Sequence, residues 1–113
     1  MLRTAAELNV PVFIHPQIPQ ASVRAALYAG FGEPVDTAFA AFGLGWHYEA
    51  GVQFVRLILA GVFDRFPHLQ IILGHRGEVV LFYIERLKSL ARVAKLERPI
   101  EEYFKHNLYV TSS

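Results

Sequence analysis

Any chemistry in this chain has to come from histidines and carboxylates, because it contains five histidines and no cysteine. That excludes a disulfide scaffold, a thiolate nucleophile and every cysteine-based zinc site, leaving imidazole and carboxylate as the only metal donors. The histidines separate by position. His15 closes the apolar run Val10-Pro11-Val12-Phe13-Ile14, and His75 follows Leu69-Gln70-Ile71-Ile72-Leu73 and Gly74. His68 and His106 come just before apolar runs, and His47 lies at the end of a long segment broken by glycine and proline. If those runs are parallel strands, His15 and His75 lie at their carboxyl ends, the edge where α/β folds build active sites. His68 and His106 then fall on the opposite, structural rim.

Two readings of His15 stand side by side: a neutral imidazole ligating a metal from a rigid strand end, or a strand-end side chain bonded to local backbone. Pro16 holds it in an extended conformation either way. His75 has more context, since Gly74 and Gly77 flank it at a strand-to-helix turn, where a tight backbone and close ligand approach are needed. Glu78, three residues on, is placed to reach back to the imidazole and fix its tautomer, as a general base requires. It is equally well explained as an acid favoured by the dipole of a helix opening there. Arg76 is a candidate for binding a substrate carboxylate, or a solvated turn arginine. Trp46, with Phe42 and Tyr48, could line a pocket for a planar substrate or anchor the loop by packing.

The elements that must hold these side chains are legible from periodicity. The runs at 10–14, 69–73 and 108–111 read as strands buried on both faces, short and almost continuously apolar. Between them Val52, Val55, Ile58, Leu59, Val62 and Phe66 keep helical spacing until Pro67. Val80, Tyr83, Ile84, Leu87, Leu90, Ala91 and Ala94 do the same. Residues 2–8 and 99–105 read as shorter helices, the second opening on Pro99. The alternation predicts an α/β fold of right-handed βαβ units on a parallel sheet. The connection at about 16–48 is too long for an ordinary loop and leaves a strand's carboxyl end, so it reads as a substrate lid, with one short helix at 22–29.

At 113 residues the chain is a single domain, 1–113, and falls well short of the roughly 250 that a closed eight-stranded barrel needs. Apolar residues reach 53% of the sequence and mean hydropathy is +0.29, which a spanning helix would explain. Yet no uncharged apolar run approaches the roughly 18 residues such a helix requires, since Gln53 and Arg56 interrupt the longest. The explanations left are a well-filled core or a piece whose apolar faces belong against neighbours. Charges balance to +1 with no basic stripe, which argues against nucleic acid as a partner. No secretory leader is visible, so a cytoplasmic location is expected and no membrane partner.

The run Gly61-Val62-Phe63-Asp64-Arg65-Phe66-Pro67-His68-Leu69-Gln70-Ile71-Ile72-Leu73-Gly74-His75-Arg76-Gly77-Glu78 resembles the G-x-F-D-x-F-P-x-L-x-I-I-L-G-H-x-G-E signature of one branch of the amidohydrolase superfamily. That branch includes the aminocarboxymuconate semialdehyde, resorcylate and carboxyvanillate decarboxylases alongside hydrolases. Val12-Phe13-Ile14-His15-Pro16 and Leu108-Tyr109-Val110-Thr111-Ser112-Ser113 are similar to its neighbouring strands, in the expected order. The resemblance implies a portion of a (β/α)8 barrel, family strands 5 to 7. It implies His15 as a metal ligand, His75 as the catalytic imidazole and Glu78 as its carboxylate partner. Nothing carries over to Arg76, a variable position.

It also implies a divalent ion, Zn2+ first and Mn2+ second, and a small carboxylated substrate, possibly aromatic. The reaction would be that of a lyase (decarboxylase) or a hydrolase. The branch's first-strand and eighth-strand ligands are not matched here, and one histidine alone cannot hold such an ion with useful affinity. The expected object is therefore an internal segment of a metal-dependent enzyme. The alternative is a non-catalytic truncated chain that self-associates to bury its open faces, and a homo-oligomer is expected. A flavodoxin-like binding module is disfavoured, because His15-Pro16-Gln17-Ile18-Pro19 is no phosphate loop.

Overall fold

The computed structural model describes residues 1–112; Ser113, the last residue of the third motif, lies outside them. Three strands, β1 (Val12–Ile14), β2 (Ile71–Leu73) and β3 (Leu108–Val110), form one parallel sheet in the order β1-β2-β3. They pair in register, Val12 with Ile71 and Leu108, Phe13 with Ile72 and Tyr109, Ile14 with Leu73 and Val110. All three runs expected to be strands contain strands; the first two start two residues later than expected and the third ends one residue earlier.

Because side chains alternate across a strand, that register sorts the residues into two faces. One face carries Ile71 and Leu73, both fully buried. They pack with Phe54 and Ile58 of α4 (Gly45–Leu59), Val62 and Phe63 of α5 (Val62–Arg65), and Tyr103 and Phe104 of α7 (Ile100–Asn107). Ala5 of α1 (Leu2–Glu7) closes one side. The other face presents Phe13 and Tyr109 in the same register row, 49% and 54% exposed. Burial on both faces, expected from the apolar runs, is thus met on one face only. The helices cover the outside of the sheet, and the inner row stays about half exposed.

Helix boundaries differ from the periodic pattern for local reasons. α4 starts at Gly45, ahead of its first periodic position, so Trp46, His47 and Tyr48 belong to a helix instead of a loop. It ends at Leu59 because Gly61 adopts φ 66°, a left-handed break that glycine accommodates without strain. Pro67 therefore ends only the short α5. The 16–48 segment contains α2 (Ala21–Leu27), α3 (Val35–Ala38) and a wide turn over Phe39–Gly43. Its tip folds on itself: Asp36 accepts from the backbone N–H groups of Gly30 (3.2 Å) and Phe31 (2.9 Å), and Phe39 packs edge-on against Tyr28 and Phe31.

At the amino ends of the strands a polar clip joins α7 to the loop before β2. The Asn107 amide is fully buried and donates to the carbonyls of Pro67 (2.9 Å) and Leu69 (2.8 Å). Its Oδ1 accepts from Arg98, which also reaches Phe63 O and lies 4.2 Å from the Tyr103 ring centre. Tyr103 donates to Asp64 at 2.8 Å; burial first, and the bond to that carboxylate second, hold its phenol above the usual range.

Removing a buried donor while its acceptors stay buried forfeits both bonds and strands the carbonyls. Asn107→Leu is therefore expected to lower unfolding free energy by roughly 2–4 kcal/mol. Urea titration checks this, and a loss under about 1 kcal/mol would mean that water replaces the amide at those carbonyls.

Candidate functional site

The carboxyl ends of β1 and β2 bring His15 and His75 together, with ring centres 5.7 Å apart and nearly perpendicular. The His15 Nδ1–H donates to the carbonyl of Pro16 at 2.9 Å. A carbonyl only accepts, so this contact puts the proton on Nδ1 and leaves the Nε2 lone pair free, the form in which imidazole ligates a metal. The backbone bond of the one reading is present, and it is compatible with the other because it leaves Nε2 available.

His75 stands at the first position of an unusual turn. His75, Arg76, Gly77, Glu78 and Val79 have φ of 40°, 61°, 86°, 50° and 61° in succession, all in the left-handed region. Only glycine visits that region freely, and each of the others costs about 1–2 kcal/mol. Arg76 N donates to Thr111 O (3.1 Å) and Gly77 N to Gly74 O (2.9 Å), tying the turn to β2 and β3. A 3₁₀ turn over Val80–Tyr83 follows, and α6 (Ile84–Val93) starts only there. Glu78 is thus not in the first turn of a helix, and the dipole explanation for its acid does not apply.

The Glu78 side chain is fully buried and reaches not to His75 but to His47, with Oε2 2.5 Å from Nδ1. Its second oxygen, Oε1, is buried with no partner among the described residues. The expected His75–Glu78 bond is replaced because the left-handed turn carries residue 78 under the start of α4. There Gly51 is so close that a Cβ would meet Glu78 O at 2.7 Å. The His47 ring bridges two elements: Nδ1 faces the carboxylate, while Nε2 lies 3.1 Å from both the Trp46 indole N–H and the Phe42 carbonyl. A neutral ring accepts from Trp46 and a charged ring donates to Phe42, so Nε2 has a partner in either state.

Trp46 stacks on His75, with centres 6.2 Å apart and planes 28° apart, while His47 meets His75 edge-on at 5.5 Å. Trp46 therefore walls the cluster as a substrate-contacting aromatic would. Phe42 is largely exposed beside it, and Tyr48 turns away to share a hydrogen bond with Tyr83. Arg76 Nε donates to Ser112 O at 3.2 Å, which commits its guanidinium to the end of β3.

His68 and His106 line an open hollow of about 800 Å3 at the amino ends of the strands, with His106 paired to Glu102 at 2.9 Å. It is larger than any other hollow described, but it lies at the rim that parallel folds use for stability. His47, which sequence reasoning left at the end of the long loop and gave no role in the site, lies in the first turn of α4; the helical spacing back from Val52 to Tyr48 was the signal for that.

The metal that the family resemblance implies is not accommodated by this chain alone. No group of three His, Asp or Glu side chains among the described residues could hold an ion. His15 offers one lone pair, and Glu78 is already committed to His47.

Residues 1–104 match the family model described as amidohydrolase, and the chain belongs to that family. Its relatives place it in the aromatic-acid, resorcylate-decarboxylase-like branch. It is 34% identical to the decarboxylase orsB of Emericella nidulans across 96% of this chain and 34% of that protein. A 5-carboxyvanillate decarboxylase, LigW, of Sphingomonas paucimobilis superposes with TM-score 0.82 at 30% identity, over 98% of this chain and 33% of the other. A dihydroxybenzoic acid decarboxylase of Polaromonas sp., solved with manganese and the inhibitor 2-nitroresorcinol, gives TM-score 0.79 at 31% identity, over 96% and 32%. The chain spans about a third of the length of the curated relatives it matches.

Glycine at 77 meets two demands, a positive φ and a close approach, since an added Cβ would lie 2.9 Å from Val110 Cγ1 and 3.2 Å from Leu81. Gly61 meets only the first, with ordinary 3.9–4.0 Å neighbours. Gly61→Ala is expected to cost about 1 kcal/mol and Gly77→Ala at least about 2 kcal/mol, by thermal unfolding. Equal costs would show that the turn yields at Val110.

Proposed function

We propose that this segment carries the proton-transferring imidazole and one metal ligand of a metal-dependent decarboxylase acting on a small aromatic carboxylate. One observation carries the reading: the Nε2 of His15, the ring of His75 and the indole of Trp46 converge at the carboxyl edge of a parallel sheet. His75 would deliver a proton to the ring carbon bearing the carboxylate. The C–C bond then breaks, its electron pair returns to the ring, and CO2 leaves. Trp46 orients the planar substrate and keeps water from that face. Hydrolysis is the less supported chemistry, because the named relatives are decarboxylases.

His15 would be one ligand of a divalent ion, with the other donors coming from elements that this chain does not contain. The manganese bound by the Polaromonas relative makes Mn2+ the first ion to test, ahead of the Zn2+ that the resemblance implied.

Decarboxylation of 2,6-dihydroxybenzoate, measured as CO2 release by the whole protein with Mn2+, is expected to fall about 10²–10⁴-fold in kcat for His75→Asn. Unchanged turnover in that variant would remove His75 from the reaction.

A second reading, favoured by the open Phe13 and Tyr109 face, is a chain that does no chemistry and associates with itself. It expects sedimentation above the monomer mass, lost in Phe13→Arg, and only weak metal binding by the isolated chain. Tight stoichiometric Zn2+ or Mn2+ binding abolished by His15→Ala would exclude it.

A further inference from the structure

His47 falls outside the motif that the family signature covers, yet more of the site passes through it than through any other side chain described. It touches Glu78, Trp46, Phe42 and His75, the first at 2.5 Å. Glu78 lies in a turn of consecutive left-handed residues, a conformation that persists only when the surroundings over-determine it. Its carboxylate is buried, and Oε1 is without a partner among the described residues. Removing the His47 N–H would leave that charge buried with neither oxygen bonded, a state that folded proteins avoid by moving the group into water. The backbone that would have to move is the turn whose first residue is His75.

We propose that His47 is a positioning residue, whose Nδ1–H tethers Glu78 to the start of α4 and thereby keeps His75 beneath Trp46. It acts on His75 through Glu78 and the indole, and it is not placed to touch the reacting atoms. The proposal rests on the reading of His75 as the imidazole that transfers the proton. Its geometric content stands apart from turnover: carboxylate, His47 ring, indole and His75 ring form one continuous contact path from a buried anchor to an exposed imidazole. Asparagine at 47 could place an amide N–H near the position of Nδ1, whereas phenylalanine would keep the ring and delete the donor.

Nuclear magnetic resonance of the full chain, labelled with 15N and 13C, tests this without a substrate. In the wild type, His47 is expected to carry its proton on Nδ1. That proton should resonate far downfield of an ordinary imidazole N–H, and the shift should be lost in Glu78→Gln. The His75 ring protons are expected upfield, under the current of Trp46, which is the only tryptophan. His47→Phe should return the His75 signals toward random-coil positions and displace the amide signals of residues 75–79. His47→Asn should keep both near their wild-type places.

The proposal is overturned if wild-type His47 is protonated on Nε2 alone. It is also overturned if the His75 shifts survive in His47→Phe, or if Asn and Phe disturb them equally. Should His47→Phe fail to fold, the wild-type tautomer and the Glu78→Gln spectrum decide. Absence of decarboxylation by the protein would remove the proposed reaction and leave these signals unchanged, so the two failures are distinguishable.

Discussion

A fully buried carboxylate within a left-handed turn is the constraint around which this site is arranged. Glu78 has surrendered water on every side, and its single strong bond is to an imidazole on another element. A bond of that length is directional, and it ties the start of α4 to the turn after β2. Gly51 and Gly74 are small where they face residue 78, and a side chain at either would crowd it. Trp46, one residue before His47 on the same helix turn, is thereby delivered to the face of His75. The exposed, reactive-looking part of the site is held by its least exposed member.

The sheet imposes the second constraint. Strands of three residues each give only a few hydrogen bonds, so the sheet depends on the apolar side chains that it presents to α4, α5 and α7. That outer layer is tightly filled around Phe54, Phe63 and Tyr103. The inner row, Phe13 and Tyr109, is of the size and hydrophobicity that a barrel interior uses, but it stays about half exposed, touched by the His15 ring and the Gln70 amide. High hydropathy without a membrane-length helix follows from the same fact. His15 projects from the strand that carries Phe13, two residues on and so on the same face. Anything completing the inner face would therefore also stand beside His15.

The sequence by itself determined the alternation of strands and helices, the parallel sheet, the rim on which His15 and His75 lie, and the family. These follow from short-range physics: apolar periodicity, glycine and proline punctuation, and a run of family-specific residues around His75. The family match over residues 1–104 agrees with that reading. Tertiary structure alone decided who partners whom. Three-residue spacing suggested Glu78 against His75, with a helix opening at Glu78, but the left-handed path of residues 75–79 carries the carboxylate to His47 instead. Likewise a pattern read forward from Val52 could not show that α4 begins at Gly45, because Gly45, Trp46 and His47 lie ahead of the spacing that Tyr48 and Val52 share. Periodicity reports which face of an element is buried. It carries no information about which polar groups from distant elements, 31 residues apart here, satisfy each other once burial has removed water as a partner.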